Sequence, residues 1–382
     1  MRLDSPIYLD YNGTTPVDPE VEKAIRPYLT EHFGNPSSTH AYGRPAFDAV
    51  EAARREVAEF IGGSANEIIF TGGGSESDNL AIQGVAMALK HRGDHVITQA
   101  TEHPAVLRCC GYLETNLGFR LTVLPVDRTG LVDPNALAAA ITPETVLVTI
   151  MHANNETGTI QPLAKLSSIA HTHGVVFHSD AAQSAGKIQT NVAQLGVDLL
   201  TIVGHKLYAP KGIGALYVRG GTPFHSLIHG ASQEGGRRAG TENVPYIAGL
   251  GVACRLAKQK LEVDPPRIRK LRDHFQERLA AQGWLLNGHP VDRLPNTINM
   301  SMAGLDGEEI LRHTAAIAAS TGAACHAGRT EPSSVLLSMG IPRDQALGAV
   351  RLSLGRWTTD EQVDMAAAAL EQSVAVLSRH SA

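Results

Sequence analysis

A chain of 382 residues is long enough for a large core and suggests two domains, or one large domain with an appendage. Its 43% hydrophobic and 19% charged content are ordinary for a globular protein, and a net charge of −5 gives no electrostatic case for nucleic acid. No apolar run reaches the roughly 18 to 20 residues of a membrane span, and MRLDSPIYLDYNG lacks the basic-then-apolar shape of a signal peptide, so a cytoplasmic location with no membrane partner is expected.

In chain order, AFDAVEAARREVAEFI (46–61) spaces Phe47, Val50, Val57 and Phe60 as one face of an amphipathic helix. NEIIFT then reads as a short strand, and GGGSESDNLAIQGVAMAL as a glycine turn opening a helix. Six more apolar runs follow at HVITQA, LTVLPV, TVLVTIM, GVVFHSD, DLLTIVG and IGALYVRG, separated in several places by helical stretches such as DPNALAAAI and LAKLSSIAHTHG. Strands alternating with helices predict an α/β domain with a mostly parallel sheet over about 15–255. KQKLEVDPPRIRKLRDHFQERLAAQ breaks that rhythm with a Pro-Pro pair and a charged helix. The remainder, 256–382, reads as a smaller α+β domain.

Seventeen histidines are scattered with no HExxH or similar spacing, so no metal site is expected. The four cysteines, at 109, 110, 254 and 325, show no CxxC pairing and read as free thiols.

In a parallel sheet, ligands sit beyond the C-terminal strand ends. Those ends collect Thr71-Gly72-Gly73-Gly74-Ser75, Thr101-Glu102-His103, His152 to Glu156, Asp180 to Gln183, and Gly204-His205-Lys206. The glycine turn offers free N–H groups and a helix end to a single phosphate, or is a plain strand-to-helix turn capped by Ser75 or Ser77. Asp180 is a helix cap, or a buried carboxylate holding a proton on a ligand nitrogen. Lys206, at the end of a buried strand, has a place where its amine could be made neutral and nucleophilic. Lys211, in the turn PKGIG, points to solvent. Phosphate cradle, carboxylate and lysine in this order are what pyridoxal 5′-phosphate requires.

YLDYNGTTP, GNPSS, FTGGGSESDNLAI, HANNETG, HSDAAQSAGK, GHKLYAPKGIGALYVRGG, GTEN, GAAC and RLSLGR resemble the motif series of the cysteine desulfurases, class-V aminotransferase-like enzymes of fold type I. The resemblance runs over about 7–370. LTIVGHK, ANNETG, GGTPFHSLIHGASQEGGRRAGTEN and GAACH look closer to the selenocysteine lyases within that group. It implies a large pyridoxal-phosphate domain at 15–255 with a mostly parallel seven-stranded sheet. The smaller α+β domain would combine 1–14 with 256–382 and carry the catalytic cysteine loop. It also implies a homodimer with shared active sites, a small amino-acid substrate, and a sulfur-acceptor or scaffold protein as a further partner.

Carried over by motif, Lys206 is the Schiff-base lysine and Asp180 the partner of the pyridinium nitrogen. His103 would stack on the ring and move protons, or simply start a helix. Gln183 would bond the ring hydroxyl, and Gly74, Ser75 and His205 would hold the phosphate, with a satisfied core histidine as the alternative for His205. Thr241 would reach the partner subunit's phosphate. Asn155 and Arg351 would grip the substrate carboxylate, against a turn residue and a surface ion pair. Cys325, in the small-residue stretch STGAACHAGRTEPSSVL, suits an exposed loop and would be the catalytic thiol; the other cysteines, Trp357 and Arg356 read as structural. One departure stands out: many desulfurases have a phosphate-binding Ser where this chain has Val203, which removes one contact. The implied reaction is cysteine to alanine with sulfur passed to Cys325. The alternatives are selenium release from selenocysteine, an ordinary class-V aminotransferase, or a scaffold that has lost its chemistry.

Overall fold

The computed structural model describes residues 5–322 and 331–380. Its strands are β1 (Ile7–Tyr8), β2 (Ile68–Thr71), β3 (His95–Gln99), β4 (Arg120–Leu124), β5 (Thr145–Thr149), β6 (Val176–Asp180), β7 (Leu199–Val203) and β8 (Gly214–Val218), followed by β9 (Leu285–Asn287), β10 (Thr297–Ser301), β11 (Ile317–Ala318) and β12 (Ala349–Ser353). The seven apolar runs are β2 to β8, and they form one sheet in the order β2-β8-β7-β6-β5-β3-β4. Pairing is parallel from β4 across to β7, while β8 runs antiparallel to both β7 and β2. Two reversals restore direction, so β2 ends on the same edge as β3, β5, β6 and β7.

Helices on both faces explain why β3, β5, β7 and β8 are apolar or neutral throughout and buried at every residue. The helix Gly74–Leu89 lays Leu80, Ile82 and Val85 in one core with Ile69, Val96, Leu147 and Leu216. The opposite core joins Phe70, Val148, Phe177 and Ile202 to the helices Gly43–Ile61 and Val244–Lys260. Those two helices approach so closely that a Cβ on Gly251 would come within 2.6 Å of Ala53 Cα. That contact runs through small residues, Ala46, Ala49 and Ala53, and it leaves Phe47 at the edge of the stripe, 43% exposed, where the spacing had placed it inside.

Downstream, β9, β10 and β12 form an antiparallel sheet, and β1 pairs in parallel with β11. Ile7 and Leu9 pack with Ile268, Phe275, Ile298, Val350 and Leu370 in a core of their own. The Pro-Pro pair falls in the first turn of the helix Asp264–Ala280, where proline costs no intrahelical hydrogen bond. In the large sheet the chain leaves β3 outward to β4 and returns to β5 on the other side of β3. Such a reversal opens a crevice beyond the strand ends.

Candidate active site

Beyond those strand ends lies a cavity of about 290 Å³. Gly74 and Ser75 reach it from the helix after β2, His103 from beyond β3, Asn155 from beyond β5, Asp180 and Gln183 from the end of β6, His205 and Lys206 from the end of β7, and Arg351 from β12. The structure therefore brings nine of the expected site residues to one place. Thr241 is elsewhere, exposed in a cleft beside Gly72 and Arg238. Cys325 lies outside the described residues.

Lys206 closes a short 3₁₀ turn, Gly204–Lys206, that ends β7. Its Nζ donates to the carbonyl oxygens of Asn12 at 2.5 Å and Gly13 at 2.6 Å. Burial, and then the positive charge of Arg351, pull its ammonium down to about 8 from an ordinary 10.5. Lys211 is exposed in the following turn and does not face the cavity.

Asp180 is the last residue of β6, and its Oδ1 accepts from Ala182 N at 2.7 Å. It both caps a turn and lines the cavity. Burial pushes its carboxyl above the usual range, while His103 and Lys206 pull the other way. A carboxylate so placed gains from a cationic nitrogen in the cavity. Behind it, Asp78 is 1% exposed and its Oδ1 has no hydrogen-bond partner among the described residues. Burial, and then the nearby Asp180 charge, raise its carboxyl well above the ordinary value.

The glycine turn enters its helix through Gly73 at φ 147°, a backbone conformation that side chains rarely adopt. Neither serine caps it: Ser77 is buried, with Oγ 2.7 Å from Thr71 Oγ1, and Ser75 faces the cavity. A Cβ on Gly74 would come 2.6 Å from Val203 Cγ2, so Val203 packs directly beneath the turn. His205 Nδ1 lies 3.1 Å from Thr14 Oγ1, and burial, with the Lys206 charge, lowers the ring to about 4. His103 starts a helix and also borders the cavity. Its Nδ1 accepts from Ala105 N at 3.1 Å, capping the helix Pro104–Leu117, and its ring borders the cavity, where partial burial lowers its proton affinity.

Arg351 is buried rather than at the surface. It pairs with Asp10 at 2.7 Å and donates to Asn155 O at 3.1 Å, and its Nε has no partner among the described residues. The Arg351 guanidinium thus borders the cavity with one donor unused. Gln183 Nε2 donates to Asn12 O at 3.0 Å, while its Oε1 accepts from Lys187 Nζ at 2.9 Å. Asn12, Asp78 and Lys187 were not read from the sequence as site residues. All three lie inside quoted motifs, YLDYNGTTP, FTGGGSESDNLAI and HSDAAQSAGK, and that was the available signal.

The family model for aminotransferase class-V matches residues 7–365. This chain belongs to that family. Among class-V relatives, it is 49% identical over 372 residues to a Dictyoglomus turgidum protein named cysteine desulfurase IscS, covering 96% of this chain and 94% of that one. It is 46% identical over 361 residues to a Methanosarcina thermophila protein of the same name, covering 94% and 89%. A solved structure described as a NifS-like protein superposes with a TM-score of 0.92 at 35% identity, covering 97% of this chain and 100% of that one.

Proposed function

We propose that this chain is a pyridoxal-phosphate-dependent cysteine desulfurase that converts L-cysteine to L-alanine and passes the sulfur to Cys325. The observation that carries this reading is Lys206. Its amine is lowered to about 8 and shares one cavity with the buried Asp180 and with the turn at Gly74 and Ser75. Relatives named as cysteine desulfurases, 44–49% identical over most of the chain, support the substrate.

The residues present fit the cofactor. Gly74 opens a helix at the cavity, and with Ser75 and His205 its N-terminus suits a phosphate. Asp180 suits a protonated ring nitrogen, Gln183 a ring hydroxyl, and Lys206 an aldehyde. When bound, the cofactor supplies an electron sink for charge developing at the substrate Cα. Arg351 and Asn155, both lining the cavity, hold the substrate carboxylate. Lys206, as a neutral amine, takes the Cα proton and can return it. His103 at the cavity border moves a second proton. The Cys325 thiolate attacks the substrate sulfur: an S–S bond forms, and the Cβ–S bond breaks with its electron pair left on carbon, which is protonated to alanine.

The same reading takes 15–255 as one unit and 1–14 with 256–382 as the other, supported by the β1–β11 pairing and the separate core around Phe275. It takes the working form as a homodimer in which Thr241 serves the partner's phosphate. Exposed Leu29, Phe33 and Tyr42 supply an apolar face for a second copy.

Alanine release from L-cysteine and from L-selenocysteine, measured side by side for wild type and Cys325→Ala, tests the function. Turnover of cysteine that disappears in Cys325→Ala is expected. Negligible turnover of cysteine beside brisk turnover of selenocysteine would overturn it in favour of a selenocysteine lyase. Ketoacid-dependent turnover that survives Cys325→Ala would mark an aminotransferase.

A further inference from the structure

Asn12 belongs to no strand or helix, is 1% exposed, and has every polar atom engaged. Its N–H donates to Ser353 Oγ at 2.9 Å, and its Nδ2 donates to Thr297 Oγ1 at 2.9 Å and to Asn155 O at 3.2 Å. Its Oδ1 accepts from Asn296 Nδ2 at 3.0 Å and from Lys187 Nζ at 3.4 Å. Its carbonyl accepts from Gln183 Nε2 and from Lys206 Nζ. Partners at β10 and β12 are thereby tied to the ends of β5, β6 and β7 through one side chain and its peptide.

The turn that carries Asn12 is also fixed on its other side. Gly13 N donates to Asp10 O at 2.9 Å, and a Cβ on Gly13 would lie 2.3 Å from Asp10 Oδ2. Asp10 in turn holds Arg351. One tight turn therefore grips Arg351 with a side chain and presents two carbonyls to Lys206. A lysine amine on four rotatable bonds loses much rotamer freedom when held, and two carbonyl acceptors offset that loss.

We propose that Asn12 is a positioning residue for Lys206: its pinned side chain fixes the Asn12 and Gly13 carbonyls as a dock that holds the lysine amine whenever that amine is not covalently engaged. The proposal rests on the reading of Lys206 as the cofactor lysine. The dock keeps the amine within the cavity in one orientation, ready to take or return a proton. Both hydrogen bonds favour the protonated form, so the dock makes the amine less available to outside reagents than the same buried amine would be without it.

The test is competitive amine labelling of the full-length chain with acetic anhydride after cofactor removal, read by mass spectrometry as the Lys206 rate divided by that of exposed Lys211. Asn12→Ala should raise this ratio about fivefold, the loss of roughly one net hydrogen bond. Thr297→Val, which removes one pin and keeps the shape, should raise it less. A folded Asn12→Ala with a ratio within twofold of wild type overturns the dock. If Asn12→Ala does not fold, an unchanged ratio in Thr297→Val overturns it instead. A purely structural Asn12 would lower the melting temperature without moving the ratio. Added pyridoxal phosphate should protect Lys206 in every variant. Protection of a different lysine would overturn the cofactor reading and the dock with it, whereas an unmoved ratio with Lys206 still protected overturns the dock alone.

Discussion

At the residue scale the decisive quantity is the proton affinity of Lys206. Burial comes first among its causes and the Arg351 charge second, with Asp10 and Asp180 acting in the opposite sense. Below about 8 the amine is protonated and can take no proton; above it the amine is a base. The signs for variants follow. Arg351→Gln removes a repelling cation and leaves Asp10 unpaired, so the midpoint moves up. Asp10→Asn leaves Arg351 unbalanced, so it moves down. The pH dependence of Lys206 acetylation in the cofactor-free chain measures both shifts, and movement in the same direction for the two variants would refute this account. The thiols give a second prediction. Burial pushes Cys109 up to about 12 and raises Cys110 and Cys254 as well. Iodoacetamide at neutral pH should therefore spare these three in the native protein and modify them once it is unfolded. After addition of cysteine, sulfur released by cyanide should be lost in Cys325→Ala and kept in Cys109→Ala.

At the element scale the informative contact is between the end of β7 and the start of the helix Gly74–Leu89. Val203 Cγ2 occupies the space that a Cβ on Gly74 would enter. Val203→Ser would trade a packed methyl for a hydroxyl under the phosphate turn. A hydrogen bond to a charged acceptor contributes about 1.5 to 3 kcal/mol, so cofactor loss by dialysis should slow about tenfold or more. An unchanged rate of loss would mean that the hydroxyl does not reach the phosphate. Gly74→Ala should do the reverse, with a cost of about 1 to 3 kcal/mol for overpacking, partly relieved in the double variant with Val203→Ala. The elements themselves were legible in the sequence where burial is continuous: all seven strands of the large sheet were readable as apolar runs, and so were the residues at their ends. What could not be read was whatever depends on contact at a distance. Phe47 has the right spacing for a buried face, yet the neighbouring helix packs on alanines and leaves it exposed. Asn12 and Lys187 look like ordinary loop letters because their partners lie up to 341 residues away, as with Asn12 and Ser353.

At the scale of the whole molecule, Arg356 joins segments far apart in the chain. Its guanidinium pairs with Asp18 at 2.5 Å and Asp264 at 3.1 Å, and stacks 4.3 Å from the Tyr208 ring centre. Its backbone N–H donates to Tyr208 Oη at 2.7 Å. Tyr208 follows Lys206 by two residues and sits at φ 63°, a left-handed conformation that a tyrosine adopts only when its surroundings hold it. The Arg356 and Asp18 side chains are each 9% exposed and that of Asp264 is 21% exposed, so removing the cation strands two carboxylates that water only partly reaches. Arg356→Met, close in volume, should therefore cost about 3 to 5 kcal/mol in urea unfolding, as for other broken buried pairs. If charge stranding is the cause, adding Asp18→Asn and Asp264→Asn to Arg356→Met should restore part of the loss, because the remaining groups are then neutral. If loss of the stacked guanidinium is the cause, the triple variant should be no more stable than the single one. The two outcomes separate an electrostatic clamp from a packing clamp. An Arg356→Met protein as stable as wild type would show that the large sheet and the β9–β12 region stay joined without Arg356, through contacts such as those at Asn12.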